Sequence, residues 1–156
     1  MRFAITAALA LTAATTLRAQ GATPAPSADL SYATPLPGSW AYAAVPDGSE
    51  ATFRDSGARP QLMIRCTRSA RRVTLSRPAG TAAPFLFVWT SSATRNLPAS
   101  FDPATARISA ALTAFDPLLD AMSFSRGRFG IGVSGAPALV VPPWAEVSRV
   151  IDDCRS

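Results

Sequence analysis

Between Gln61 and Arg77 hydrophobic and polar residues alternate along the chain, and an extended backbone is what turns such alternation into two distinct faces. Leu62, Ile64 and Cys66 fall on one face of a strand, with Gln61, Met63, Arg65 and Thr67 on the other. After the polar stretch Arg68-Ser69-Ala70-Arg71 the pattern resumes, with Val73 and Leu75 facing inward and Arg72, Thr74 and Ser76 outward. The result is a β-hairpin with one apolar face to bury and one basic face in water. The rest of the chain must supply the cover for the apolar face.

Trp40 and Tyr42 stand two apart, as on one face of a strand. Pro46-Asp47-Gly48 has the residues a turn needs, and Ala51 to Arg54 reads as the returning strand across a loop of several residues. Phe85 to Thr90 is apolar on both faces, which suits a central strand covered on each side. Ala93 to Pro98 and Ala106 to Thr113 read as two more strands joined through Phe101-Asp102-Pro103, with Ile108, Ala110 and Leu112 on the inner face of the second. Phe129, Ile131 and Val133 alternate with glycines, and Leu139-Val140-Val141 follows before Pro142-Pro143.

Two segments carry helical signals instead. Asp116-Pro117 supplies a capping acceptor and a first-turn proline for a short helix near 116–122, whose apolar side is Leu118, Leu119 and Met122. Val147, Val150, Ile151 and Cys154 are spaced as one stripe of a C-terminal helix near 144–154. Seven to nine short strands with no strand-helix-strand alternation predict a mainly β fold: an antiparallel β-sandwich or curled sheet with these two helices.

Cys66 and Cys154 are the only cysteines, and the strand and helix patterns place both on buried faces. They can pair in only one way, and a disulfide is the expectation in an oxidising compartment; two free buried thiols are the alternative.

The amino end points to the same compartment. One arginine, an uncharged stretch from Ala4 to Thr16 and the small Ala19 before Gln20 form the pattern of a secretory signal, with cleavage after residue 19. The apolar run is shorter than the ~20 residues needed to span a bilayer, so no transmembrane segment is expected in the mature chain. Residues 20–38 read as a Pro/Ala/Ser-rich leader in which Leu30-Ser31-Tyr32 could add an edge strand, and residues 39–156 as a single β-rich domain. The expected location is periplasmic or secreted.

All 15 basic residues are arginine, and histidine is absent. Without histidine or lysine the usual serine and cysteine nucleophiles lack their base, and transition-metal sites lack their ligands. No catalytic, cofactor or metal residue is therefore assigned, and no cofactor is expected. Gly130-Ile131-Gly132-Val133-Ser134-Gly135 spells the dinucleotide fingerprint, but that motif works at a strand-to-helix turn and here no helix follows. The glycines read instead as strand positions that another element approaches closely.

Paired carboxylates leave a carboxylate-based glycan hydrolase as the enzymatic alternative. Asp116 and Asp120 stand one turn apart, though a helix cap and an exposed helix face also account for them. Glu50, Asp102 and Glu146 cannot be paired from sequence. Asp152-Asp153 offers no calcium loop, and Asp153 has a helical partner in Arg149.

Removing Arg2 and Arg18 with the signal lowers the formal net charge of +5 by two. That leaves a weak footprint for nucleic acid, and none is expected as partner. The remaining arginines are uneven. Arg54, Arg59, Arg65, Arg68, Arg71, Arg72, Arg77 and Arg95 gather within one span in which Asp55 is the sole acid. On the hairpin, Arg65 and Arg72 share the wet face while Arg68 and Arg71 crown the turn. Guanidinium forks hold phosphate or carboxylate at two points, so Arg65, Arg68, Arg71 and Arg72 form a candidate contact for an envelope protein or an anionic lipid headgroup. A solvated face without partner is the competing reading.

The stretch from Leu119 to Phe129, with Pro142-Pro143-Trp144-Ala145-Glu146-Val147 and the closing Asp152-Asp153-Cys154-Arg155, resembles the end of uncharacterised secreted alphaproteobacterial proteins. More distantly, a signal peptide, a small β domain and two cysteines with one near the carboxyl end is a plan similar to that of the invasion-associated locus B type of periplasmic protein. The resemblance implies a bacterial, exported, non-enzymatic β protein of unsettled role and carries over no site residue. From the residues themselves the chain reads as a binding module, with a purely structural envelope protein as a further alternative.

Overall fold

The structure, a computed structural model, describes residues 29–156; the segment read as a signal peptide at 1–19 and the part of the expected leader up to residue 28 lie outside the described residues. Ten strands form two antiparallel sheets. The larger sheet contains β1 (Gly38–Val45), β2 (Gly48–Asp55), β3 (Pro60–Thr67), β4 (Arg72–Pro78), β8 (Arg107–Thr113) and β7 (Ser100–Asp102), side by side in that order. The smaller sheet runs β10 (Ala136–Val141), β9 (Phe129–Val133), β5 (Phe85–Trp89) and β6 (Thr94–Pro98). Helix α1 spans Pro117–Ser123 and α2 spans Ala145–Arg155. This is the antiparallel two-sheet architecture the alternation predicts, with more strands than the seven to nine expected.

The extra strand arises at a sheet change. Ala93 to Pro98 and Ala106 to Thr113 were expected to be joined through an irregular linker. Instead the chain leaves the small sheet at Pro98, turns at Ala99 and pairs Ser100 and Asp102 with Ser109 and Arg107 in the large one. Three residues carry too little pattern to announce a strand. The β1–β2 connection is also tighter than expected. Val45 pairs with Gly48 across a two-residue turn, Pro46-Asp47, in which Asp47 adopts a positive φ of 59°.

The core lies between the inner face of the large sheet and its two covers. Leu62, Ile64, Cys66, Val73, Leu75 and Ile108 are fully buried against Leu86, Val88, Phe129 and Ile131 of the small sheet and Val147, Val150 and Ile151 of α2. Helix α2 packs across β1, β2, β3 and β4. The indole of buried Trp40 donates to the Pro142 carbonyl at 2.8 Å, and the Tyr42 hydroxyl donates to Asp153 at 2.8 Å. Arg149, the expected helical partner of Asp153, makes no direct ion pair with it among the described residues, though its charge helps to lower that carboxyl. Its guanidinium lies over the Tyr42 ring at 3.9 Å, and the phenol takes the carboxylate.

The expected edge strand at Leu30-Ser31-Tyr32 is a turn. Asp29 accepts from the Ser31 amide, while Leu30 is buried beside Trp89 and Val140 on the outer face of the small sheet. Gly130 makes this possible, since a Cβ there would sit 2.1 Å from Leu30 Cδ1. The first glycine of the apparent dinucleotide motif is thus a notch in a strand, as the sequence argued.

Candidate functional site

The β3–β4 hairpin follows its pattern residue by residue. Arg65 pairs with Thr74 and Thr67 with Arg72, so Arg65 and Arg72 share the outer face of the large sheet. Arg68-Ser69-Ala70-Arg71 forms the turn, closed by the Arg71 amide donating to the Arg68 carbonyl at 3.0 Å, with Arg71 at a φ of 47°. This turn lies against the β1–β2 turn: the Arg68 amide donates to the Asp47 carbonyl at 2.8 Å, and the Ser69 amide and hydroxyl both donate to the Asp47 carboxylate. The Ser69 hydroxyl and amide hold that carboxylate below its ordinary range, with smaller help from Arg68 and Arg65.

The eight clustered arginines separate once their partners are known. Arg59 bonds Asp55, whose carboxylate also accepts from the Gly57 amide and the Gln61 side chain, fixing the β2–β3 turn. Arg54 donates to the Ala58 carbonyl in the same turn. Arg95 pairs with Asp116 at 2.7 Å. Arg77 follows Val73 and Leu75 onto the inner face, where its guanidinium donates to the Ile131 carbonyl at 2.7 Å and ties the two sheets together. Desolvation lowers its pKa.

Of the four candidate contact residues, Arg65 is engaged: Glu50, its cross-strand neighbour on β2, approaches to 3.3 Å. Arg68, Arg71 and Arg72 have no ion pair among the described residues, and Arg68 reaches only the Asp153 carbonyl at 3.5 Å. Glu50 was legible in the sequence as an acid, but its pairing depends on the β2–β3 register. An open groove of 620 Å³ lies beside Arg72, lined by Thr74, Ser109, Ala111 and the Pro98-Ala99-Ser100 corner.

The carboxylates singled out for an enzymatic alternative are both in use. Asp116 caps α1 by accepting from the Leu118 amide at 2.9 Å, and Asp120 pairs with Arg155 of α2 at 2.8 Å. Burial raises the Asp116 carboxyl, but the Arg95 hydrogen bond, the Leu118 amide and the Arg95 charge outweigh it and hold the group below its ordinary value of 3.8. Its charged form therefore contributes stability above that value, and the contribution disappears as pH falls through the lowered folded-state pKa. Asp116→Asn, which keeps a capping oxygen, is expected to cost about 0.5–1 kcal/mol at neutral pH. Urea midpoints of the two proteins should converge below pH 4 (about the ordinary aspartate value); an unchanged gap at acid pH would assign the loss to packing.

Cys66 and Cys154 have their sulfurs at disulfide distance, with Cα atoms 5.4 Å apart, and fasten α2 to the inner face of β3. No helix among the described residues is long and apolar enough to cross a membrane, and none of their His, Cys, Asp and Glu side chains form a group of three or more suited to a metal ion. The fold and site together define a two-sheet β module with a cysteine pair at disulfide distance and a guanidinium-bearing hairpin tip. Compared with protein families, with curated proteins and with solved structures, the chain matches none of them.

Proposed function

We propose that the chain is an exported, non-enzymatic binding module, periplasmic or secreted, that meets an anionic partner through the tip of the β3–β4 hairpin. The observation carrying this reading is that Arg68, Arg71 and Arg72 share one hairpin end without an ion pair among the described residues, while Arg59, Arg65, Arg95 and Arg155 each have one. Arg54, Arg77, Arg107 and Arg128 are held by backbone carbonyls or Ser76, and Arg149 by the Tyr42 ring. Among the described residues, besides the separate Arg126, the guanidinium groups left for a bidentate carboxylate or phosphate are Arg71 and Arg72, with Arg68 held only by its 3.5 Å contact to the Asp153 carbonyl. A disulfide pair accords with an oxidising compartment, and the signal pattern and the resemblance to periplasmic proteins point the same way.

An acidic protein of the envelope is the partner this reading favours. Pull-down from envelope extract should recover it at low salt and lose it when Arg68, Arg71 and Arg72 are all changed to Gln. Arg65→Gln should have little effect, because Glu50 already occupies that guanidinium. Flotation with phosphatidylglycerol vesicles, against phosphatidylcholine, distinguishes a lipid partner. Indifference of both assays to the triple change would leave the tip as a solvated face.

A further inference from the structure

The short β7 covers only the Arg107–Ser109 part of the outer edge of β8, and the hydrogen-bond phase of the large sheet identifies which groups the rest of that edge presents. The Ala114 amide donates to the Arg71 carbonyl and the Ala79 amide to the Ala106 carbonyl. These two bonds bracket the β4–β8 ladder, whose register runs from Arg72 opposite Thr113 to Pro78 opposite Arg107. Backbone groups alternate along an antiparallel strand, so Ile108, Ala110 and Leu112 turn their amides and carbonyls toward β4, and Arg107, Ser109, Ala111 and Thr113 turn theirs the other way. On that side Arg107 and Ser109 meet Asp102 and Ser100 of β7, which ends there.

Ala111 and Thr113, both exposed, meet no strand among the described residues. The Thr113 carbonyl is taken by the Asp116 amide at 3.0 Å. The Ala111 amide and carbonyl and the Thr113 amide remain, in phase for one further strand. Ala111 also lines the open groove described above, whose far wall is the Pro98-Ala99-Ser100 corner.

The same groove has a charge to satisfy. Arg72 lies opposite Thr113 on the outer face, without an ion pair among the described residues, and no Asp or Glu lines the groove. Thr74, Ser100 and Ser109 add hydroxyls beside it. Resting on the anionic-partner reading, we propose that the partner is bound as an extended acidic peptide segment. It adds to β8 at Ala111 and Thr113 and places a carboxylate opposite Thr113, within reach of Arg72. Backbone pairing supplies the register and the guanidinium supplies the selectivity, as in other strand-addition complexes.

The test uses the oxidised full chain and the peptide fluorescein-Gly-Thr-Glu-Val-Glu-Val-Thr-amide, labelled at its amino end and read by fluorescence anisotropy. Binding should weaken about tenfold or more when both Glu are replaced by Gln, and similarly in Arg72→Gln, the scale of a lost charge-assisted contact. N-methylation of alternate peptide amides, in the phase that faces β8, should weaken it as much, and Ala111→Pro should reproduce that effect from the protein side. The methylated peptide keeps the test intact even if the proline variant does not fold. Binding unchanged by N-methylation overturns strand addition. If that binding is also lost in Arg68→Gln/Arg71→Gln, the hairpin-tip reading stands without it. Binding to phosphatidylglycerol vesicles but not to peptide likewise overturns strand addition and retains an anionic partner; binding to neither overturns both.

Discussion

Replacing Cys66 and Cys154 together by alanine is expected to remove about 4–5 kcal/mol of stability, from the loop-closure entropy of a cross-link spanning 88 residues. Against the roughly 5–15 kcal/mol that holds a small domain folded, this is the largest single loss foreseen. The native contacts of α2 would survive the change: Val147, Val150 and Ile151 remain in the core, and Asp153 keeps the Tyr42 hydroxyl. The effect falls mainly on the unfolded chain, which regains the freedom of a long loop. Urea denaturation of wild type and double variant measures it directly, and a difference under about 1 kcal/mol would show that the bridge constrains little. Wild-type protein isolated without reductant should show no alkylatable thiol at Cys66 or Cys154 by mass spectrometry.

Gly48→Ala is the second large effect. Gly48 opens β2 with a φ of 151°, and a Cβ there would lie 2.2 Å from the Cys66 carbonyl oxygen on the neighbouring strand. That oxygen belongs to the backbone of a central strand whose residue is also cross-linked to α2, so it has little room to retreat. Backbone strain and the forced overlap together should cost about 3 kcal/mol or more. The expected readout is a lower urea midpoint with an unchanged slope. An alanine variant as stable as wild type would mean that the β1–β2 turn can be rebuilt around the new methyl group. Alanine at Gly80, where an added Cβ has no neighbour within 4 Å, is the matched control.

The faces of the strands were legible because burial follows a period of two. Leu62, Ile64 and Cys66 on β3, Val73 and Leu75 on β4, and Ile108, Ala110 and Leu112 on β8 are all buried, as their alternation required. The stripe of α2 was legible for the same reason at a period of 3.6, and with Cys66 it identified the pair that the fold brings to disulfide distance. The three-residue β7 and the turn at Leu30 were not. Each is too short to carry a period, and each owes its conformation to a partner outside itself, the following strand at Arg107 to Ser109 in one case and the distant notch at Gly130 in the other.

The arginine patch shows the same division at the level of the site. Sequence placed eight arginines in one span and set Arg65, Arg68, Arg71 and Arg72 on one hairpin. It could not say which were already satisfied, because Glu50 reaches Arg65, Asp116 reaches Arg95, and the Ile131 carbonyl reaches Arg77 only across strands or between sheets.

Composition and periodicity alone determined that this chain is a β module with inward-facing cysteines, no histidine-based chemistry and a basic hairpin. These properties depend on residue identity and on neighbours two to four positions away. Tertiary structure decided which guanidinium groups and which strand edges are left without a partner among the described residues. Both depend on the register and order of strands far apart in sequence, and a shift of one residue in that pairing would move every side chain concerned to the opposite face.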